Sequence, residues 1–127
     1  MFKDTKAFSG FAVDDVDQAR AFYGDTLGIT ITEEMESILV LQLAGGERPT
    51  LIYPKPDFEP ATYTVLNFPV DDIDEAVDAL AAKGVAFERY NGMEQDEKGI
   101  ARAMGGGPDI AWFRDPAGNI LSVLVPV

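Results

Sequence analysis

Residues 11–19 read Phe11-Ala12-Val13-Asp14-Asp15-Val16-Asp17-Gln18-Ala19, and residues 68–76 read Phe68-Pro69-Val70-Asp71-Asp72-Ile73-Asp74-Glu75-Ala76. Each copy places an apolar strand directly before two aspartates that can begin a helix. The second copy starts 57 residues after the first, which is close to half of the 127-residue chain. A period of this length indicates the duplication of a whole module rather than a solenoid repeat.

The first module, at about residues 6–54, has the pattern of a strand, a helix and three further strands. Asp15 is placed to cap the helix, with Gln18 three residues later as in a capping box. Gly28 is placed to end this helix in the left-handed region. The strands are predicted at residues 7–13, 29–35, 38–43 and 50–53.

The second module, at about residues 61–127, repeats the pattern after a linker at 54–60 that contains three prolines. Asp72 is placed to cap its helix, with Glu75 three residues later. The glycine-rich segment 91–107 is predicted to be a mobile loop. The strands are predicted at residues 63–70, 85–90, 109–114 and 120–126, with a further short strand near 101–103.

Each module on its own has a single helix to cover a sheet, which leaves the other face of that sheet open. Two such modules can bury the open faces by sharing a curved sheet. We therefore predict an α+β fold of one domain over residues 1–127. In it, two tandem βαβββ modules form a curved mixed sheet around a shared cleft, with the helices on the outer face. The cleft is the expected ligand site.

The composition excludes several kinds of site. The chain has no Cys and no His, so disulfides, thiolate metal ligands, Cys nucleophiles and Ser-His-Asp triads are impossible. The net charge of −12 disfavours nucleic acid and anionic membranes as partners. It is compatible with a cationic ligand, although solubility explains it more simply. The chain shows neither the apolar stretch of a signal peptide nor a membrane span, so we expect a cytoplasmic protein.

Three motifs together carry a resemblance to a known family. They are the helix pattern Val13, Asp15, Ala19, Phe22, Tyr23; the helix ending Leu27-Gly28; and the turn Trp112-Phe113-Arg114-Asp115-Pro116-x-Gly118-Asn119. With the paired modules, they resemble the glyoxalase / bleomycin-resistance / extradiol dioxygenase superfamily, also called vicinal oxygen chelate proteins. The resemblance covers nearly the whole chain.

The resemblance implies four positions for metal ligands. Members that use a metal place a ligand on the first and the last strand of each module. In this chain these positions correspond to Phe8 and Thr50 in module one, and to Val65 and Ser122 in module two. A divalent cation needs at least three N or O donor atoms, normally with some negative charge. Two apolar side chains and two hydroxyl groups cannot supply them. We therefore expect no metal and no other cofactor.

Strand alternation predicts which side chains line the cleft. Phe8 and Val65 lie on the strand faces opposite Phe11 and Phe68, which are expected to pack under the helices. A cavity of this kind would be mostly apolar with a few hydroxyl and amide groups, as in small-molecule sites. The residues predicted to line it are Phe8, Thr50, Ile52, Val65, Asn67, Tyr90, Arg102, Trp112 and Ser122.

The resemblance leaves the activity open, because this superfamily contains isomerases, dioxygenases, epimerases, thiol transferases and binding proteins. We expect a metal-free protein that binds a small apolar or cationic molecule and forms a homodimer. The alternative is a metal-independent lyase or isomerase acting on a small metabolite, for which the sequence identifies no catalytic residue. A regulatory partner with a vestigial cleft is a third hypothesis.

Overall fold

The computed structural model describes residues 1–35, 37–45, 47–102 and 107–126. These residues form two compact units, Met1–Pro60 and Ala61–Val127. Each unit combines one sheet with one helical segment, so the predicted α+β class is confirmed. The shared cleft and the single domain stay predictions. No helix of the described residues is both long and apolar enough to cross a bilayer.

The first unit has a four-stranded sheet with the strand order β1-β4-β3-β2. Strands β1 and β4 are parallel, and the other two pairs are antiparallel. The strands are β1 (Gly10–Val13), β2 (Ile31–Glu34), β3 (Ile38–Leu41) and β4 (Thr50–Pro54). Four strands were predicted here, and the structure shortens the first one at its start.

The helical segment of the first unit begins as predicted and continues differently. The N–H of Gln18 donates to Asp15 Oδ1 at 3.1 Å, which confirms the cap of α1 (Val16–Arg20). The chain then widens into a π-helix, Ala21–Thr26. This wider turn was not predicted, because a helical spacing of apolar residues does not separate α from π turns. Gly28 ends the segment at φ +73, as expected.

The second unit has a three-stranded sheet with the order β5-β7-β6 and the helix α2 (Ile73–Ala82). Its strands are β5 (Thr64–Pro69), β6 (Asp109–Arg114) and β7 (Ile120–Val125), all close to the predicted bounds. The N–H of Glu75 donates to Asp72 Oδ1 at 3.0 Å, so this cap is confirmed too. Gly84 follows α2 at φ +89.

The predicted strand at 85–90 is wrong. Within this segment only Phe87 forms a bridge, to Phe113, among the described residues. The reason is a side chain: the N–H of Tyr90 donates to Gln95 Oε1 at 2.8 Å instead of joining a strand ladder. Near 101–103, Ala101 forms a single bridge with Ile110, and residue 103 lies outside the described residues.

The segment predicted as a mobile loop is instead held by hydrogen bonds over residues 91–102. Gln95 Nε2 donates to the carbonyl oxygens of Glu88 and Gly99, at 2.9 and 2.7 Å. Asp96 Oδ1 accepts the backbone N–H of Ile100 at 2.9 Å, and the Ile100 side chain is fully buried. Residues 103–106 of the predicted loop lie outside the described residues.

Candidate ligand-binding face of the second unit

The strand register gives the sheet of the second unit two chemically different faces. Leu121 pairs with Leu66 and Phe113, while Ser122 pairs with Asn67 and Trp112. Paired residues point to the same side of a sheet, and neighbours along a strand point to opposite sides. One face therefore carries the leucines and Phe113, and the other carries Asn67, Ser122 and Trp112.

Helix α2 covers the face of Leu121 and Phe113. Ala101 pairs with Ile110, so the next residue, Arg102, points away from the face that holds Ile110 and Trp112. Arg102 donates to Asp74 on α2, which places the helix on that opposite side. The face away from α2 is called the Asn67 face below; it consists of Asn67, Pro69, Tyr90, Ile110, Trp112, Ser122 and Leu124.

At one side of the Asn67 face lies a hydrogen bond between two predicted site residues. Ser122 Oγ donates to Asn67 Oδ1 at 2.6 Å. Ser122 is completely buried, whereas Asn67 is exposed. Because the amide oxygen of Asn67 is engaged, its NH₂ group is the part available to a ligand. Within the described residues, this NH₂ group makes no hydrogen bond.

At the other side of the face, Tyr90 packs edge-on against Trp112. Their ring centroids are 5.5 Å apart, and the ring planes meet at 72°. The Tyr90 hydroxyl is buried and has no hydrogen-bond partner among the described residues. Burial raises the pKa of this hydroxyl, and the charge of Glu88 adds to the rise while Arg114 opposes it. Tyr90 is therefore a protonated donor at neutral pH.

The charged side chains next to this face are engaged with each other. Arg114 Nε pairs with Glu88 Oε1, and Arg114 Nη1 donates to the carbonyl oxygen of Gly118 at 2.9 Å. The hydrogen bond to Glu88 raises the pKa of Arg114. The ion pair leaves the aromatic part of the face without an uncompensated charge from either residue.

Val65, another predicted site residue, lies at an irregularity of β5. Thr64 pairs with Ile120, and Leu66 pairs with Leu121, so Val65 is an extra residue opposite one step of β7. Such a bulge breaks strand alternation and redirects side chains. The face of Val65 therefore does not follow from its spacing to Asn67, and we leave Val65 out of the Asn67 face.

Arg102 lies away from the other predicted site residues of this unit. Its guanidinium forms ion pairs with Asp74 and with Asp96, each at 2.9 Å. The hydrogen bond from Arg102 is the main cause that lowers the pKa of Asp74 to about 2. As a ligand-binding residue Arg102 stays a prediction, and its position beside α2 argues against it.

In the first unit the predicted facing of Thr50 and Ile52 is wrong. Phe11 pairs with Ile52 and lies 5.9 Å from Tyr23 of the π-helix, ring centroid to ring centroid. Thr50 and Ile52, which share a face, therefore point toward the helical segment, where Ile52 is fully buried. Phe8, by contrast, is 54% exposed, and the Arg48 guanidinium lies 5.0 Å above its ring.

The same register corrects one of the four metal-ligand positions. Ser122 pairs with Asn67 in the second unit, and the repeat relates Asn67 to Gly10 in the first. Gly10 pairs with Leu51, so Leu51 and not Thr50 is the counterpart of Ser122. Spacing along one strand does not show how two strands are aligned, and this alignment decides the counterpart.

The donor set does not fit a divalent metal in either unit. Phe8, Val65 and Leu51 offer no donor atom, and the Ser122 hydroxyl is hydrogen bonded to Asn67. The described residues contain no group of three or more His, Cys, Asp or Glu side chains that could hold a metal ion.

Sequence reasoning missed two residues of the loop that supports Tyr90. Gln95 and Asp96 hold the backbone of residues 88–102 through their side chains. A polar pair in a loop carries no periodic signal, so only the folded chain shows this role. Trp112, Ser122, Asn67 and Tyr90 were all predicted, and the structure brings these four together on one face.

Comparison with known proteins identifies the family of this chain. A family model described as "Glyoxalase/Bleomycin resistance protein/Dioxygenase superfamily" matches residues 8–123. None of the curated proteins compared with this chain is significantly similar in sequence.

Solved structures show the same fold over the whole chain. A member of the glyoxalase/bleomycin resistance protein/dioxygenase superfamily from Sphaerobacter thermophilus is 22% identical with a TM-score of 0.70, covering 98% of this chain and 99% of that one. TnmS3, an antibiotic binding protein from Streptomyces sp. CB03234, is 21% identical with a TM-score of 0.68 and 98% coverage of both chains. Lactoylglutathione lyase from Agrobacterium tumefaciens is 21% identical with a TM-score of 0.68, covering 97% and 95%. At these identities the similarity establishes the fold alone.

Proposed function

Since this chain belongs to the glyoxalase/bleomycin resistance protein/dioxygenase superfamily, we propose that it binds a small apolar molecule on the Asn67 face without a metal. The observation that carries the proposal is the hydrogen bond between Ser122 and Asn67. Ser122 is at a position where the family resemblance implies a metal ligand. In its place is an amide NH₂ group beside an aromatic pair, which suits binding of a neutral compound.

The aromatic pair gives the face its affinity for apolar ligands. Trp112 is half-buried, and Tyr90 fixes one edge of its ring. A flat ligand that covers Trp112 removes apolar surface of both molecules from water. The fold similarity to TnmS3, an antibiotic binding protein, supports a binding role for a domain of this shape.

A cationic ligand is less favoured than a neutral one. The net charge of −12 would attract a cation to the protein in general. On the Asn67 face, however, the neighbouring carboxylate of Glu88 is already paired with Arg114. A cation bound there would have to compete with that pair, whereas a neutral ligand would not.

A metal-independent lyase or isomerase is the competing function. The fold similarity to a lactoylglutathione lyase supports this alternative. Such an enzyme needs an acid and a base that reach the substrate. Burial raises the pKa of Tyr90, so its hydroxyl is not a base at neutral pH, and the Glu88 carboxylate is already paired with Arg114. Binding is therefore the better supported function.

We also propose that the protein is a cytoplasmic homodimer. Strand β1 stands at the edge of one sheet and β5 at the edge of the other. Strand edges offer backbone N–H and C=O groups to another chain, and natural proteins cover them. A second copy of the chain is the simplest cover.

Calorimetry with aromatic compounds of one to three rings tests the binding function. Trp112→Ala is expected to weaken binding more than tenfold, because the ligand loses its main apolar contact. Tyr63→Ala is the matched control, since Tyr63 is an aromatic of the same unit that is 69% exposed. Circular dichroism checks that both variants fold. The proposal is wrong if the wild type binds none of the compounds, or if Trp112→Ala binds as tightly as the wild type.

A further inference from the structure

We infer that the ligand of the Asn67 face carries a neutral hydrogen-bond acceptor on a flat apolar body, and that Tyr90 is the residue that selects for this acceptor. The inference rests on the proposed binding function and adds the chemical class of the ligand.

The first step is the state of the Tyr90 hydroxyl. Its oxygen is buried and has no hydrogen-bond partner among the described residues. A buried hydroxyl without a partner is destabilising, and native structures usually satisfy such a group with water or a ligand. The hydroxyl belongs to a ring that packs on Trp112, so an acceptor that satisfied it would lie next to the proposed aromatic contact.

The second step is that the backbone of Tyr90 is held in place by a side chain. The N–H of Tyr90 donates to Gln95 Oε1 at 2.8 Å, and Gln95 Nε2 donates to the carbonyl oxygen of Glu88 at 2.9 Å. One side chain thus fixes the chain on both sides of residue 89. Gln95 is therefore a positioning residue for Tyr90, because a donor held in advance loses less entropy on binding.

The far end of the same loop is also anchored. Asp96, next to Gln95, accepts from the N–H of Ile100 at 2.9 Å and pairs with Arg102 at 2.9 Å. Arg102 continues to Asp74 on α2, also at 2.9 Å. The loop that follows Tyr90 is therefore tied to a helix.

The third step is the charge and layout of the face. Across the sheet the order is Asn67, Ser122, Trp112, and then the segment of Tyr90, since the N–H of Glu88 donates to the carbonyl of Trp112 at 2.8 Å. Two residues that carry donor groups, Asn67 and Tyr90, thus lie on either side of Trp112 in the order across the sheet. Glu88 and Arg114 neutralise each other, so the face suits a neutral carbonyl or ring nitrogen rather than an anion.

The test compares 2-acetylnaphthalene with 2-isopropenylnaphthalene, which has a CH₂ group in place of the carbonyl oxygen. Both are measured by equilibrium dialysis against the wild type, Tyr90→Phe and the matched control Tyr63→Phe. We expect the wild type and the control to bind the ketone about tenfold more tightly than the alkene, the size of one hydrogen bond. Tyr90→Phe is expected to lower this ratio severalfold, because the ketone loses the hydrogen bond from the hydroxyl.

A second variant tests the positioning role. Gln95→Met removes the three hydrogen bonds of this amide and is expected to lower the ketone-to-alkene ratio with little effect on alkene binding. A general loss of structure would weaken both compounds equally, so the ratio separates positioning from stability.

The outcomes distinguish this inference from the proposed function. If both compounds bind and the ratio is the same in wild type and Tyr90→Phe, the hydroxyl meets only water and the inference is overturned, while the binding function stands. If neither compound binds to the wild type, the binding function is overturned and the inference with it.

Discussion

Ser122 and Asn67 are joined across two parallel strands by a hydrogen bond of 2.6 Å, on the face of the sheet that α2 does not cover. Ser122 is completely buried, and its hydroxyl carries no charge that could balance a metal ion. Ser122, at a position where the family resemblance implies a metal ligand, instead holds the neutral side-chain amide of Asn67.

Ser122→Ala is expected to lower ligand affinity by about fivefold to tenfold, because the Asn67 amide loses the hydrogen bond that orients it. The free energy of unfolding should fall by about 1 kcal/mol. Calorimetry and chemical denaturation measure the two effects. Ser37→Ala, at an exposed serine, is the control and should change neither. Unchanged affinity in Ser122→Ala would show that Asn67 needs no support.

The purified protein is expected to contain no stoichiometric transition metal. The side chains of Phe8, Val65 and Leu51 have no donor atoms at the positions that the family resemblance implies for metal ligands. Elemental analysis after purification without chelators measures the metal content, and ligand binding should be the same before and after EDTA. About one Zn, Ni, Fe or Mn per chain would contradict this prediction.

Gly99→Ala is expected to destabilise the second unit by more than Gly92→Ala does. Both glycines have positive φ, +89 and +82, which costs an L-residue about 1 kcal/mol. Only at Gly99 would a Cβ also lie 3.1 Å from the Phe87 Cβ; at Gly92 the space is open. The extra overpacking is expected to cost about 1–3 kcal/mol, measured by urea denaturation. Equal losses in the two variants would mean that the loop simply shifts away from Phe87.

The ion pair between Asp74 and Arg102 is expected to make stability depend on pH in the acid range. The pKa of Asp74 is lowered from 3.8 to about 2, chiefly by its hydrogen bond with Arg102. A carboxylate with a lowered pKa stabilises the folded state fully above its unfolded pKa, and this contribution is lost as the pH falls through about 2.

Asp74→Asn should therefore be less stable than the wild type at pH 6, and the difference should shrink between pH 4 and pH 2. Because the pair is exposed, 1 M NaCl should reduce the difference as well. Urea denaturation at each pH measures it. Asp71→Asn is the control, since Asp71 forms no ion pair among the described residues. A difference that does not change with pH would exclude the ion pair as its cause.

Light scattering at micromolar concentration is expected to give a mass of about twice 13.8 kDa. The physical reason is that β1 and β5 each end a sheet, and a second chain would pair with such an edge. Dilution to nanomolar concentration should shift the mass toward one chain if the association is reversible. A mass of one chain at all concentrations would contradict the homodimer.

Much of the fold could be predicted because its signals are local. Asp15 and Asp72 cap helices through their own side chains, and Gly28 and Gly84 end the helical segments with positive φ. Capping and glycine conformations depend on neighbours within one turn, so the sequence contains all the information they need. The opposite facing of Asn67 and Phe68 within β5 also followed, since alternation within a strand is a local property.

The tertiary structure decided whatever depends on alignment between distant segments. Thr50 and Ile52 were predicted to line the cleft, but the register between β1 and β4 pairs Ile52 with Phe11, on the side of the helical segment. A shift of one residue in register exchanges the two faces of a strand, and counting along one strand cannot detect it.

The amino-acid sequence by itself therefore determined the duplication, the caps and most strands. Only the folded chain set the register of β4, the bulge at Val65 and the loop that Gln95 holds against Tyr90. The physical reason is the range of the interactions. Local sequence fixes the preferences of the backbone, whereas register and loop contacts form between residues that only folding brings together.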